Sequence, residues 1–294
     1  MFGYVGVYLC EFGNFVQYIP AVINGLQNNG YNIDFAGFND LKYILNHRIN
    51  SKAINSFVGF DYYNNIKRLN TTLDPLPTEI SQYFNSIDKT KYKFFWPMHN
   101  ISNDENVSIY LSAPKIFRRL TYTNNKEYKN SVIIFPRGSS RFQEKNIPKC
   151  IWQNIIDFLV SCNLSIYIGG LEHNTILGLI NCFYLYNFQD QLLKSIEMLN
   201  NCAACITTTC GGSVLATSCG CPTFVIGNAR HKHLYYRINF DPRPGYYYNY
   251  LESFVEYYEC DLKTIDISNC INRIESFIKK YSHYRIAKDE VYGT

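Results

Sequence analysis

A pair of glycines in the second half of the chain has the spacing of an anion-binding turn. Gly211 and Gly212 lie between an apolar run of strand length, residues 203–207, and a run of small side chains, residues 213–218, that predicts a tightly packed helix. A glycine turn that opens a helix after a strand leaves N–H groups at the positive end of the helix dipole, where phosphate binds. The alternative is that the glycines only let strand and helix pack closely, and this stretch alone leaves both interpretations open.

A cationic run precedes this turn in the chain. Residues 115–149 carry nine Lys and Arg side chains against two Glu side chains, and a polar loop within the run holds Ser139, Ser140, Arg141 and Lys145. Guanidinium, ammonium and hydroxyl groups are donors suited to phosphate oxygens. The run therefore predicts an anionic partner, or it is an ordinary solvated face. The net charge of +4 is small for a protein that mainly binds nucleic acid.

The cysteines favour a reduced protein over a metal or disulfide scaffold. They number eleven, lie scattered in apolar segments, and follow no basic-then-apolar leader, so we expect buried thiols in a cytoplasmic protein without a transmembrane segment. Three pairs have spacings seen among zinc ligands: Cys202 and Cys205, Cys219 and Cys221, His231 and His233. Both cysteine pairs fall within expected strand and helix elements instead of on a loop, which argues against zinc.

These residues are carried by two series of alternating strands and helices. The first series predicts strands at residues 2–9, 33–38, 53–60 and 92–96, and helices at 15–26, 41–47 and 78–87. After a polar stretch at residues 100–130, the second predicts strands at 131–136, 164–168, 182–186, 203–207 and 222–226, and helices at 148–162, 190–199, 213–218, 246–258 and 271–281.

Such alternation predicts parallel βαβ units. We expect an α/β protein of two Rossmann-like domains with parallel sheets, an N-terminal domain at residues 1–125 and a C-terminal domain at 126–294. The last helix is a candidate to cross back to the first domain. Ligands of open α/β sheets bind at the carboxyl ends of the strands.

Four segments resemble, in order and spacing, the motifs of the heptosyltransferase-like GT-B glycosyltransferases. They are the G-N-F-V-Q-Y-I-P segment at residues 13–20, the strand and basic loop at 133–148, the Gly-Gly-Leu-Glu turn at 169–172, and T-C-G-G-S-V-L-A at 209–216. The resemblance implies a GT-B fold and transfer of a sugar, hexosyl or heptosyl, from a nucleotide-diphosphate donor to a glycan or other hydroxyl acceptor. The sugar nucleotide would be a substrate, and no separate cofactor is expected.

The leaving diphosphate needs either a metal or fixed donors to stabilise its developing charge. Because the chain contains no Asp-x-Asp, we expect a metal-independent enzyme. The resemblance assigns donor binding to the hydroxyls and cations of the polar loop, the Gly-Gly-Leu-Glu turn and the second glycine turn: Ser139, Ser140, Arg141, Lys145, Gly170, Glu172, Cys210, Gly211, Gly212 and Ser213.

The chain departs from the family pattern at three positions. Asn14 stands in place of the expected Asp base, Cys210 in place of Ser, and Val214 in place of His. An amide cannot accept a proton at neutral pH, so Glu11, three residues earlier, is the candidate base and Asn14 a candidate for positioning the acceptor. The departures leave two alternatives open: a non-catalytic relative that binds sugar nucleotides or glycans, and a phage-type enzyme with a nucleic-acid acceptor bound by the cationic run.

Overall fold

The structure is a computed structural model of the whole chain. It describes residues 3–8, 30, 32–38, 42–44, 54–60, 78, 82, 85–88, 92–96, 101–102, 117–118, 128–139, 143–187, 190–230, 254–282 and 291–292. The chain divides into two compact units. The first comprises Met1–Arg118, Asp241–Tyr246 and Val291–Thr294, and the second comprises Arg119–Phe240 and Tyr247–Glu290. The domain limits expected from the sequence, with a division after residue 125, stay a prediction.

The first unit is built on a mainly parallel sheet. Its strands are β1 (Gly3–Tyr8), β2 (Asn32–Phe38), β3 (Ile54–Phe60), β4 (Tyr92–Trp96) and β5 (Ile101–Ser102). Their order is β3-β2-β1-β4-β5; the first four run parallel, and β5 pairs antiparallel with β4. The four strands expected from the sequence are confirmed to within a residue or two. The expected helix at 15–26 lies outside the described residues.

The second unit contains the larger sheet. Its elements are β7 (Ser131–Phe135), α1 (Lys149–Ser161), β8 (Ser165–Ile168), β9 (Phe183–Tyr184), α2 (Gln191–Asn201), β10 (Ala204–Thr208), α3 (Gly211–Ser218), β11 (Thr223–Gly227), β12 (Val255–Glu259) and α4 (Ile267–Tyr281). Within the described part of the chain, six strands form this sheet in the order β12-β11-β10-β7-β8-β9, and each neighbouring pair is parallel.

A two-stranded pairing completes the first unit. Strand β6 (Phe117–Arg118) pairs antiparallel with β13 (Val291–Tyr292), near the end of the chain. Helix α4, which precedes β13, packs in the core of the second unit.

The core of the second unit lies between the sheet and two helices. Trp152 and Ile156 of α1 and Phe277 of α4 are buried against alternate strand residues such as Ala204 and Ile206 of β10. Because successive strand residues point to opposite faces, Cys205 and Thr207 face away from this core. On that side α2 and α3 bury further apolar side chains, so helices cover both faces, as a parallel sheet requires: Ile196, Leu199, Val214 and Leu215.

Burial explains the uncharged stretch that the sequence shows at residues 201–227. Every residue from 201 to 209 and from 213 to 227 is buried, which is the environment of strands covered on both faces. Cys210, Gly211 and Gly212 interrupt this stretch and are half-buried. In the part of the chain that the structure describes, no helix is both long and apolar enough to cross a membrane.

A closing helix was expected at residues 246–258, and this prediction was wrong at residues 255–258; residues 246–253 lie outside the described residues. Residues 255–259 form β12, which pairs parallel with β11 and completes the sheet. Strand β12 contains one valine and two tyrosines, residue types that favour a half-buried strand, and pairing with β11 outweighs the helical spacing of the aromatic residues. Strand β9 is also shorter than expected, since a 3-10 turn begins at Leu185.

Candidate functional site

Strand order brings two of the sequence-predicted segments to one edge of the second sheet. The chain runs outward in one direction from β7 to β8 and β9, and in the other from β10 to β11 and β12, so the order reverses between β7 and β10. These two strands pair directly, with Ile206 opposite Ile134. In open α/β sheets, ligands bind at the carboxyl ends of the strands at such a reversal. The segments that follow there are the polar loop after β7 and the glycine pair after β10.

The amino end of α3 leaves donors without acceptors. Cys210 is the N-cap residue and makes no side-chain capping hydrogen bond. The N–H of Ser213 donates to the carbonyl oxygen of Cys210 at 3.1 Å, and the Ser213 hydroxyl donates to the same oxygen at 2.6 Å. No described residue accepts a hydrogen bond from the N–H of Gly211 or Gly212. Of the three predicted N–H donors, the two glycines therefore remain available to a bound anion.

Thr209, directly before the N-cap, is a further candidate site residue that the sequence analysis did not name. It is 4% exposed, and its hydroxyl has no hydrogen-bond partner among the described residues. Its Cγ2 methyl lies 3.1 Å from the place a Cβ would take at Gly227, the end of β11. A buried hydroxyl without a partner costs about 1 to 3 kcal/mol. Thr208, Ser218 and Trp152 also have a buried polar side-chain atom without a partner among the described residues, and Thr209 is the candidate for a ligand contact because it lies beside the available N–H groups. The threonine run at residues 207–209 is the signal that could have identified it.

The ring of Phe135, the last residue of β7, fills the space between two glycines. A Cβ at Gly212 would lie 2.7 Å from Cδ1 of this ring, and one at Gly169, after β8, would lie 2.8 Å from its Cζ. Both distances are shorter than real contacts allow, so neither position accepts a larger residue without a shift. Close packing thus explains Gly212, which is one of the two interpretations left open by the sequence. The other, that the N–H groups of this turn bind an anion, stays a prediction.

The polar loop after β7 is held by hydrogen bonds at both ends. The N–H of Gly138 donates to the carbonyl of Asn174 at 2.8 Å, and the Asn146 side-chain amide donates to the carbonyl of Ser139 at 2.8 Å. The Arg137 guanidinium in turn donates to the Asn146 side-chain oxygen. Lys145 is half-buried at the end of a 3-10 turn, Gln143–Lys145.

The predicted residues Ser140 and Arg141 lie outside the described residues. The structure therefore places Ser139 and Lys145 on an anchored loop that begins at the sheet reversal. The donor-binding roles of all four loop residues stay predictions.

The turn after β8 carries Gly170 and Glu172. Gly170 has φ +107°, a conformation that glycine alone adopts readily, and its carbonyl accepts a hydrogen bond from the Gln191 side chain. Glu172 is exposed and begins a 3-10 turn, and the Thr175 hydroxyl secures that turn by donating to the carbonyl of Leu171 at 2.8 Å. Through the shared Phe135 ring, this turn and the amino end of α3 are neighbours.

The candidate catalytic residues belong to the first unit. Glu11 and Asn14 lie outside the described residues, and β1 ends three residues before Glu11. Strand β1 pairs with both β2 and β4, and the strand order of the first sheet reverses between β1 and β4. The chain segment that holds Glu11 and Asn14 thus leaves the sheet at a reversal, as the segment after β10 does in the second unit.

Five of the ten cysteines that the structure describes are buried, as the sequence predicted, whereas Cys150 and Cys162 on α1 and at its end are exposed, contrary to that expectation. Cys202, Cys205, Cys219 and Cys221 are at most 1% exposed, and burial raises the pKa of the Cys205 thiol well above its usual range. No set of three or more His, Cys, Asp or Glu residues that could hold a metal occurs among the residues searched, which are those the structure describes. His231 and His233 fall outside them.

Comparison with known proteins identifies the fold of this chain through solved structures and not through its sequence. No protein-family model matches the sequence, and no curated protein sequence matches it significantly. Among solved structures, the glycosyl transferase family 9 protein from Veillonella parvula DSM 2008 is 14% identical over 94% of this chain and 97% of its own, with a TM-score of 0.57.

Two Escherichia coli proteins are similar to the same extent. The ADP-heptose LPS heptosyltransferase II is 12% identical over 95% of this chain and 99% of its own, with a TM-score of 0.60. The heptosyltransferase WaaC, solved with ADP, is 11% identical over 93% of this chain and 99% of its own, with a TM-score of 0.58. The fold is that of the heptosyltransferase-like GT-B glycosyltransferases, which confirms the resemblance drawn from the four sequence motifs. Identities this low establish the fold and leave the activity to be argued from the site.

Proposed function

We propose that the protein is a glycosyltransferase that moves a sugar from a nucleotide-diphosphate donor to a hydroxyl acceptor. The observation that carries the proposal is the amino end of α3, where two N–H groups and the buried Thr209 hydroxyl lack partners in the described structure. Such a group of neutral donors at the positive end of a helix is suited to a diphosphate. The fold supports this choice, since the three solved structures described above are named as glycosyltransferases or heptosyltransferases.

In this proposal the two units supply different chemistry. In the second unit the Gly211 and Gly212 N–H groups hold the diphosphate, and Lys145, Arg141, Ser139 and Ser140 add charge and hydroxyl donors. These groups stabilise the negative charge that develops on the leaving diphosphate, so the reaction is proposed to need no metal ion. Gly170 and Glu172 lie on the turn that would contact the nucleoside, and Cys210 and Ser213 shape the helix end.

In the first unit, Glu11 is the proposed general base. It would remove the proton from the acceptor hydroxyl as the new bond forms, and Asn14 would hold that hydroxyl by a hydrogen bond. The acceptor is proposed to be a glycan or another hydroxyl compound. The transferred sugar is proposed to be a hexose or a heptose, and the screen with sugar nucleotides distinguishes the two. A nucleic-acid acceptor receives no support from the structures compared above.

The experiment is a thermal-stability screen with sugar nucleotides, ADP-linked sugars among them, in buffer with and without EDTA. A ligand at one hundred times its Kd stabilises the protein by about 2.7 kcal/mol. Lys145→Ala should weaken the binding of the sugar nucleotide found in this way by about 1.5 to 3 kcal/mol, the scale of a hydrogen bond to a charged group. If no sugar nucleotide binds, or binding disappears with EDTA, the proposal fails in its donor or in its metal independence.

Turnover with the donor so identified separates an enzyme from a binding protein. Glu11→Gln should lower turnover by roughly two to four orders of magnitude and leave donor affinity nearly unchanged, because a general base acts on the acceptor. Asn14→Asp is the matched variant in the same segment. Full turnover in Glu11→Gln combined with higher turnover in Asn14→Asp would show that position 14, and not Glu11, is the site of the base. Donor binding without any turnover would favour the non-catalytic alternative.

A further inference from the structure

Two buried thiols lie in contact at the base of the β10–α3 segment, the edge of the sheet opposite the glycine turn. Cys202 caps the carboxyl end of α2, just before β10, and Cys221 lies between α3 and β11. Their Sγ atoms are 3.6 Å apart, and the two side chains are 0% and 1% exposed. The sulfurs of a disulfide are about 2.05 Å apart, so the two Sγ atoms must move closer by roughly 1.5 Å for the bond to form.

The two thiols in contact come from different members of the cysteine pairs that are close in sequence. Spacing alone puts Cys202 with Cys205 and Cys219 with Cys221, whereas the fold brings Cys202 to Cys221, 19 residues later. The chain between these two residues comprises β10, the glycine turn and α3. A bond between them would therefore close the whole candidate anion-binding segment into a loop at its base.

We propose that Cys202 and Cys221 are a redox-active pair that forms a reversible intramolecular disulfide when the folded protein meets a two-electron oxidant such as hydrogen peroxide. In the first step the sulfur of one thiol attacks the peroxide, the O–O bond breaks, and a sulfenic acid and one water form. In the second step the other thiol attacks the sulfenic sulfur, the S–O bond breaks, and the S–S bond forms with release of a second water. Two thiols are oxidised and one peroxide is reduced to two waters.

Burial determines how this reaction proceeds. Thiols in apolar surroundings stay protonated and react slowly, so the exposed Cys150 and Cys162 should be oxidised earlier than the buried pair. Those two residues are an internal control for the strength of the oxidant. In the buried pair, a second thiol in contact with the sulfenic acid captures it before further oxidation, which makes the disulfide the end product.

The first experiment maps the disulfide in the native protein. After peroxide treatment and alkylation of the remaining thiols, chymotrypsin is used, because cleavage after Leu199, Leu215 and Phe224 separates the two cysteines. The expected product joins peptides 200–215 and 216–224, is two hydrogen atoms lighter than their sum, and separates with dithiothreitol. Tandem mass spectrometry of the wild-type product assigns Cys202 to Cys221 without any variant.

The matched variants test the assignment. Cys202→Ser and Cys221→Ser should each abolish the cross-linked product, while Cys205→Ser, an equally buried position on β10, should retain it. Persistence of the product in Cys202→Ser would overturn the proposal. So would oxidation of Cys150 and Cys162 with no cross-linked peptide, or a cross-link that forms only after denaturation.

The second experiment measures the consequence for the segment. Closing a loop restricts the unfolded state, so the oxidised protein should have a Tm several degrees higher than the reduced one, reversed by dithiothreitol. Hydrogen exchange should slow in residues 211–218 and remain unchanged in α1. An oxidised protein with unchanged Tm and unchanged exchange in α3 would show that the bond does not close the segment as proposed.

Discussion

The two ends of α3 differ in how their terminal backbone groups are hydrogen-bonded. At the carboxyl end Gly220 has φ +68°, its N–H donates to the carbonyl of Thr217 at 2.9 Å, and the N–H of Cys221 donates to that of Ala216 at 3.0 Å. These bonds form the Schellman cap that satisfies the last carbonyls of a helix. At the amino end the Gly211 and Gly212 N–H groups have no acceptor among the described residues.

The difference supports the proposal that the amino end of α3 binds a ligand. A helix of eight residues buried on nearly every side cannot leave both the N–H donors of its amino end and the carbonyl acceptors of its carboxyl end unbonded without a large cost. The chain satisfies the backbone groups at the carboxyl end, although the side-chain hydroxyl of Ser218 is buried there without a partner among the described residues. The amino end, which is half-buried and lies at the sheet reversal, is the end that we propose to bind a ligand.

The largest expected effect tests what holds the amino end in place. Phe135→Ala should lower the free energy of unfolding by about 3 to 5 kcal/mol, because the ring is buried and fills the space between two glycine turns. Phe183→Ala is the control, since that ring is 62% exposed and its loss should cost less than about 1 kcal/mol. Urea unfolding measures both, and equal losses would show that Phe135 is not the packing centre of the site.

Glycine substitutions at the two ends should destabilise for different reasons. Gly212→Ala should cost about 1 to 3 kcal/mol through its clash with Phe135, and Gly220→Ala about 1 kcal/mol through its left-handed backbone. A Phe135→Ala background should remove most of the first cost and none of the second in a double-mutant cycle. Costs that do not change in that background would contradict the packing explanation of Gly212.

The smallest expected effect on stability is at the threonines, where the two ends should respond with opposite signs. Thr217→Val removes a buried hydroxyl that donates to the carbonyl of Val214 at 3.0 Å and should cost about 1 kcal/mol. Thr209→Val removes a hydroxyl that has no partner in the described part of the chain. This change should leave the unliganded protein as stable or more so, while weakening donor binding. Chemical denaturation and calorimetry measure the two quantities. Loss of stability in Thr209→Val without loss of binding would remove Thr209 from the site.

The sequence by itself determined the local elements and the class of fold. Apolar runs bounded by glycine and proline predicted the strands, because these patterns record the environment of each residue. The four motifs identified the GT-B resemblance. The prediction failed at residues 255–258, where the spacing of the aromatic residues suits a helix as well as a strand. Pairing with the edge of β11 stabilises the strand there, and the local sequence does not encode that pairing.

Only the tertiary structure decided which distant residues meet. Strand order placed the loop after β7 beside the turn after β10, put the Phe135 ring against Gly169 and Gly212, and brought Cys202 to Cys221 instead of to Cys205. Only the fold could also show that the Thr209 hydroxyl has no partner among the described residues, since that depends on all of its neighbours at once. Local patterns carry no information on strand order, and for that reason the site residues had to be found in the fold.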